Sequence, residues 1–172
     1  MNAKRLEEYL KSKEYISLVQ KKLRFLYNLQ LNEGYKIRAK KELARDIVKF
    51  AKYCLVLYEP RSSLKRIIFN PFPYQIEIWK KLDELYEAGR GEIYIEKARD
   101  IGVTWTILAW IFHRWLVEPN FTALIGSRKE TEVDNKTVNS LFGKLRFFLY
   151  HLPPGLFISP KKWKKKIHDN HM

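Results

Sequence analysis

The sequence predicts an α/β fold in which an incomplete parallel sheet follows a basic α-helical segment. Two short runs, Ile93–Ile95 and Phe121–Gly126, are rich in β-branched and apolar residues, as buried strands are. The segment between them, from Gly102 to about Trp110, is apolar and long enough for a buried helix. Two buried strands joined by a helix form a right-handed βαβ unit, which places the strands parallel in one sheet.

Composition indicates a folded chain with a core of its own. The 172 residues are 46% hydrophobic and 15% aromatic, which is enough to bury a core without disulfides or metal. The single Cys54 lies in an apolar run and is expected to be a small buried side chain rather than a nucleophile. No signal segment is expected at the amino end, and the uncharged run 102–113 is too short to cross a bilayer.

The net charge of +14 is concentrated at the two ends of the chain. Residues 1–66 carry 17 Lys/Arg against 7 Asp/Glu and residues 144–172 carry 7 against 1, whereas residues 67–143 carry 9 against 11. Basic surfaces attract polyanions such as DNA or RNA. The alternative is a lysine-rich solvated face of the kind found in heat-adapted proteins.

Helical periodicity covers the basic first third. Residues 4–31 predict an amphipathic helix or a broken pair, which stops at 32–34 with Gly34 in the left-handed conformation. Residues 37–53 predict a second basic helix. It is either the surface of a helical subdomain or a contact for nucleic acid or a protein partner.

The remaining elements alternate between short strands and helices. Residues 64–69 could form a short strand, and residues 76–86 predict a helix that is closed by the glycines of 88–91. A third helix is expected from 127 to about 150, ended by Leu152–Gly155. The tail, 159–172, has no globular continuation.

The loop before the apolar helix is a candidate phosphate site. Loop N–H groups and the positive end of the helix point to the same place there, which suits an anion. Gly102 and Thr104 match the common phosphate-loop pattern, but Val103 occupies its lysine position. Lys97, at the front of the loop, is long enough to reach the same phosphates. Arg99 and the N–H groups of Asp100, Ile101, Gly102, Val103 and Thr104 would complete the cradle; the alternative is a turn that binds nothing.

Two other segments could serve the same ligand. Phe72, Tyr74 and Gln75 precede a helix, and an aromatic ring can stack on a base while a glutamine amide both donates to and accepts from adenine. By itself this segment could equally be a helix-capping turn. Residues 126–129 follow the second predicted strand, at the sheet edge where ligands of such folds bind.

The order of these motifs resembles a known family. The matching segments are, in order, Asp46–Phe50, Tyr58–Arg61, Phe72–Gln75, Lys97–Thr104, Leu124–Glu130 and Leu152–Gly155. Together they are similar to the start of the large terminase subunit of tailed bacteriophages, the ATPase that drives DNA into procapsids. The resemblance covers residues 46 to about 165.

The resemblance implies a P-loop NTPase-like parallel sheet with ATP and Mg²⁺ as cofactors. It divides the chain into a basic helical lead-in (1–66), the amino-terminal part of the ATPase domain (67–158) and a basic tail (159–172). Gln75 would read adenine, Lys97 would contact the phosphates together with Arg99, the candidate catalytic residue, and Thr104 would ligate Mg²⁺.

The same resemblance implies partners and a location. Double-stranded DNA, a portal protein and a small terminase subunit are the expected partners, with a homo-oligomer formed by the full-length protein and no membrane. The expected location is the cytoplasm of a bacterial or archaeal host, at the viral procapsid during packaging.

Two parts of such a motor are absent from the sequence. No apolar run ending in Asp and Glu follows Phe121, so the carboxylates that hold Mg²⁺ and orient water are lacking. A metal-binding nuclease domain is lacking too. The sequence therefore predicts a fragment with little or no hydrolysis by itself. The alternatives are a non-enzymatic basic nucleic-acid-binding module and a fragment of a helicase-type ATPase.

Overall fold

The apolar helix that follows Gly102 lies at the centre of the structure. The computed structural model describes residues 3–98 and 101–158. The central helix, α6, spans Val103–Val117 and packs against α4, α5 and α8. Leu108, Ala109 and Phe112 on it are buried. The prediction of a buried helix here is confirmed.

The described residues form eight helices and two strands. In chain order they are α1 (Ala3–Leu10), α2 (Lys13–Leu31), α3 (Glu33–Arg45), α4 (Ile47–Cys54), β1 (Val56–Tyr58), β2 (Arg66–Ile68), α5 (Pro73–Ala88), α6 (Val103–Val117), α7 (Glu130–Val133) and α8 (Leu141–His151).

Polar capping residues divide the basic lead-in into four helices. Ser12 separates α1 from α2, so the broken pair is the correct alternative, and its hydroxyl accepts the Tyr15 N–H. Asn32 ends α2 and caps α3 in the same way. Asp46 splits the second predicted helix into α3 and α4, and its carboxylate accepts the Lys49 N–H at 2.9 Å. The prediction for Gly34 is wrong, because Gly34 lies inside α3 and the Asn32 cap leaves no left-handed residue there.

A short hairpin follows the helical lead-in. The strand expected within 64–69 is β2, and β1, which was not predicted, pairs with it antiparallel, Leu57 opposite Ile67. The Lys22 ammonium donates to the Leu55 carbonyl at 3.0 Å and so ties α2 to the start of β1. Burial lowers the pKa of Lys22 to about 8. Cys54 is buried as expected, and burial raises the pKa of its thiol to about 12.

The predicted parallel sheet is wrong. The only sheet among the described residues is the antiparallel pair β1–β2, and no ladder includes 93–95 or 121–126. Tyr94 is 88% exposed and Leu124 is fully exposed. A short apolar run forms a strand only where another strand takes up its backbone hydrogen bonds, and the described residues offer these two runs no such partner.

The third predicted helix is correct only at its two ends. Between α7 and α8 the chain turns, because Asp134 accepts from the Arg146 guanidinium at 2.5 Å and Ser140 caps α8. Hydrogen bonding to Arg146 holds the pKa of Asp134 well below its usual range. Gly143 lies so close to the Thr137 carbonyl oxygen that a Cβ atom would be 1.6 Å from it. The loop therefore packs directly on α8.

One hydrophobic core joins the lead-in to the later helices. Phe25, Phe50, Phe112 and Phe148 belong to the same cluster of buried side chains. The division at residue 66 stays a prediction, and the tail from 159 lies outside the described residues. Within the described part of the chain, no helix is both long and apolar enough to cross a membrane.

His113 links α6 to α3 inside this core. Its Nε2 lies 2.8 Å from the Leu43 carbonyl oxygen, so that nitrogen must carry the proton and donate it. The ring is 5% exposed and packs on Phe50 with centroids 4.8 Å apart. Burial lowers the pKa of His113, because a second proton would place a charge in the core.

We expect His113 to make the folded state sensitive to acid. Its folded pKa is below the unfolded value of about 6.5, so the unfolded chain binds more protons in the interval between the two. The free energy of unfolding that the neutral ring contributes is fully present above the unfolded pKa of about 6.5. It is lost as the pH falls from there through the folded pKa. His113→Gln should therefore flatten the decrease in unfolding free energy between neutral and mildly acidic pH, measured by urea denaturation.

His151→Gln is the matched control, since His151 is a partly exposed histidine at the end of α8. Its denaturation profile should keep the wild-type dependence on pH. Equal flattening in both variants would contradict the role of His113.

Candidate functional site

The aromatic and glutamine segment forms the beginning of α5. Phe72 precedes the helix, Pro73 is its first residue and Gln75 lies at its third position. Proline suits this position because its missing N–H would have had no helical partner. The Gln75 Oε1 accepts the Phe72 N–H at 2.9 Å. The capping turn that the sequence left as an alternative is thus present.

The predicted phosphate loop ends at the amino terminus of α6. Gly102 precedes the helix with φ of +80°, a conformation that side chains other than glycine rarely adopt. Its carbonyl accepts the N–H and the hydroxyl of Thr106, both at 3.0 Å. No side chain caps the helix, and the N–H groups of residues 103–105 have no acceptor within the described part of the chain. These donors lie at the positive end of the helix.

The structure brings these two helix beginnings together. The Tyr74 hydroxyl donates to the Ile101 carbonyl at 2.5 Å. One helical turn further along α5, the Trp79 indole N–H donates to the Thr106 carbonyl at 2.8 Å in the buried interior. We call the region formed by residues 72–75 and 101–104 the α5–α6 junction.

An unused donor lies at the centre of the junction. Gln75 is 4% exposed, and its Nε2 makes no hydrogen bond to any described residue. A Cβ atom at position 102 would lie 3.1 Å from this nitrogen, so the amide is directly beside Gly102. Every fully enclosed side-chain nitrogen or oxygen in the described residues has a partner, so Nε2 must be reachable from outside. Such an amide is free to donate to water or to a ligand.

Two aromatic rings border the same junction. Phe72 and Tyr74 are nearly parallel, with an interplanar angle of 10° and centroids 5.7 Å apart. They are 52% and 37% exposed, which is unusual for side chains of this size. Burial of its hydroxyl raises the pKa of Tyr74. An exposed pair of rings beside an uncapped helix end can hold a planar group next to an anion.

The remaining predicted site residues belong to the first turn of α6 or to the loop before it. Val103 is buried as the first residue of α6, and Thr104 is exposed at the second position. Lys97 is exposed and makes no ion pair or hydrogen bond with a described residue, so its contact with the loop stays a prediction. Arg99 and Asp100 lie outside the described residues.

Residues 126–129 were expected to contribute to the ligand site because they would lie at the edge of a parallel sheet. The described residues form no parallel sheet, so this prediction has lost its basis. Ser127 and Arg128 both contact the Glu132 carboxylate, at 2.6 and 3.1 Å. Hydrogen bonding to Ser127 and then to Arg128 lowers the pKa of Glu132. These side chains therefore stabilise a local turn before α7.

The helix predicted for 76–86 includes Trp79, but its periodicity does not reveal that the Trp79 indole N–H fixes the relative position of α5 and α6. The available signal is chemical, because a buried tryptophan needs an acceptor for its one donor.

The junction can bind an anion that carries a planar group. The helix end and Gln75 Nε2 supply N–H donors, and the rings supply an apolar face. A nucleotide has both components. Among residues 3–98 and 101–158, no cluster of three or more His, Cys, Asp or Glu could hold a metal ion.

Gly102→Ala should both destabilise the chain and close the junction. At φ of +80° an alanine is strained, and its Cβ would press on Gln75 Nε2. We expect a loss of about 1 kcal/mol or more in unfolding free energy, measured by urea denaturation. The same variant should lose affinity for inorganic pyrophosphate in calorimetry.

Two glycines provide controls for the separate effects. Gly89→Ala has the strain, at φ of +65°, but no neighbour within 4 Å. Gly126→Ala has neither the strain nor a neighbour. If Gly89→Ala weakens pyrophosphate binding as much as Gly102→Ala does, the contact at Gln75 is not responsible.

No protein-family model matches this chain, and the searches of curated proteins and of solved structures also give no match. Function must therefore be inferred from the residues and their geometry.

Proposed function

We propose that this chain binds ATP at the α5–α6 junction and is the ATP-binding part of a viral DNA-packaging motor. The observation that carries the proposal is the Gln75 Nε2 beside Gly102, at the start of α6, where neither this nitrogen nor the helix end has a side-chain partner among residues 3–98 and 101–158. Two segments that the sequence assigns to one nucleotide, 72–75 and 101–104, meet there through the Tyr74 to Ile101 hydrogen bond.

The phosphates belong at the α6 terminus. The N–H groups of residues 103–105 donate to them, and the helix dipole favours their charge. The exposed Thr104 hydroxyl supplies a ligand for the Mg²⁺ that accompanies ATP. Lys97 and Arg99 add positive charge from the preceding loop.

The base belongs against the rings of Phe72 and Tyr74. Gln75 Nε2 donates to its edge, while Oε1 keeps one lone pair beyond the bond from Phe72 N–H. Such a paired contact distinguishes adenine from bases with a different edge.

The resemblance in motif order supports the second half of the proposal. It assigns ATP binding to a DNA-packaging motor, with double-stranded DNA, a portal protein and a small terminase subunit as partners. The motor would act as a homo-oligomer at the procapsid. Hydrolysis by this chain alone should be weak or absent, since the sequence has no run ending in the Asp and Glu that such an ATPase needs.

Gln75→Glu tests the site most directly. Glutamate keeps an oxygen for the Phe72 N–H but replaces the free donor with a second oxygen, which cannot donate to the adenine edge. We expect its affinity for Mg-ATP, measured by isothermal titration calorimetry, to fall at least about tenfold. Thr104→Ala should reduce the contribution of Mg²⁺, seen as a smaller difference between titrations with and without the metal.

Gln20→Glu is the matched control, because it makes the same chemical change at an exposed position of α2. It should bind Mg-ATP as the wild type does. Equal affinities of the two glutamate variants, or no saturable heat with the wild type, would refute the proposed site.

A further inference from the structure

We infer a second binding site in the helical lead-in, a basic groove that takes the phosphodiester backbone of a nucleic-acid strand. The groove lies between α2 on one side and α3 and α4 on the other, with a volume of about 540 Å³. The residues that decide its chemistry are Lys21, Arg24, Phe25, Tyr35, Arg38 and Tyr53. We call it the lead-in groove.

The walls of the lead-in groove have an excess of free positive charge. Lys21, Arg24 and Arg38 are exposed, and none forms an ion pair with a described residue. The other two charges, Lys49 and Glu42, neutralise each other across 2.5 Å. Three cations without an ion-pair partner among the described residues therefore line one groove, which gives it a positive potential that attracts an anion.

The floor of the lead-in groove is aromatic. Phe25 is buried and packs against Tyr35 and Tyr53, with ring centroids 6.2 and 4.9 Å away. The two tyrosines are partly exposed. Positive side chains above partly exposed rings are the combination by which proteins follow a nucleic-acid backbone and support its bases.

Two of the three cations lie along the α2 side of the lead-in groove. Lys21 and Arg24 are separated by about 4.5 Å along the α2 axis, and Asn28, also in the groove wall, lies about 6 Å further on. Arg38 faces them from α3. A single phosphate would be held by groups that converge on one point, whereas a row of donors matches consecutive phosphates of a strand.

The lead-in groove shares no residue with the α5–α6 junction. The inference therefore does not require ATP binding, and failure of one site would leave the other unaffected. The backbone could come from single-stranded nucleic acid or from one strand of a duplex, since both carry the same phosphodiester.

The test is fluorescence anisotropy of labelled DNA with the full chain at several salt concentrations. The groove variant combines Lys21→Gln, Arg24→Gln and Arg38→Gln, which are exposed and leave the core unchanged. We expect at least about tenfold weaker binding, and a slope of log affinity against log salt that is smaller by about two to three. Separate titrations with single-stranded and with duplex oligonucleotides identify which of the two the groove binds more tightly.

The control variant removes the same charge elsewhere, by Lys11→Gln, Arg66→Gln and Lys80→Gln, all exposed positions outside the groove. It should bind DNA within about threefold of the wild type, because it loses only diffuse attraction. Thermal unfolding of both variants should match the wild type. Equal losses of affinity in both, no loss in either, or competition by inorganic phosphate at the concentration of DNA phosphate would overturn the inference.

If the triple groove variant unfolds at a lower temperature than the wild type, the single variants Arg24→Lys and Arg24→Gln give a second measurement. Arg24→Lys keeps the charge but not the planar fork, so DNA affinity should fall less than in Arg24→Gln. An equal loss in both single variants would show that packing rather than charge is responsible, and would also overturn the inference.

Discussion

The hydrogen bond from the Trp79 indole to the Thr106 carbonyl is the contact on which the candidate site depends. It lies in the buried interior between α5 and α6, where an unpaired indole N–H would cost about 1–3 kcal/mol. Because it fixes one helix against the other, the first turns of both helices meet at Gln75 and Gly102. The geometry of the junction is therefore a consequence of core packing, not of its exposed residues.

The junction and the lead-in groove present positive charge in different ways. At the junction the donors are backbone N–H groups and one amide, held in place by two packed helices. In the groove they are long flexible side chains along a surface. Fixed donors suit a small ligand that must be oriented, whereas mobile cations tolerate a polymer whose position varies. A chain that binds both ATP and DNA would use each arrangement for the ligand that it fits.

Two polar contacts of buried or partly buried side chains hold the helices together, one within the lead-in and one between the lead-in and α6. The Lys22 ammonium reaches the Leu55 carbonyl, and the His113 ring reaches the Leu43 carbonyl. Each of these contacts joins residues that are distant in the sequence. Burial lowers the pKa of both side chains, Lys22 and His113.

The sequence by itself determined where most of the helices lie, because periodicity is a local property, although it missed the breaks at Asp46 and between α7 and α8. It located α6 by its unbroken apolar composition and α5 by its periodicity and the closing glycines, and it selected 72–75 and 101–104 as site residues. It could not determine the pairing of strands. Ile93–Ile95 and Phe121–Gly126 have strand composition, yet neither run joins a sheet among the described residues, since pairing depends on partners distant in the chain. Only the tertiary structure decided which way the Gln75 amide faces and that Lys21, Arg24 and Arg38 share one groove, because both follow from how separate helices pack.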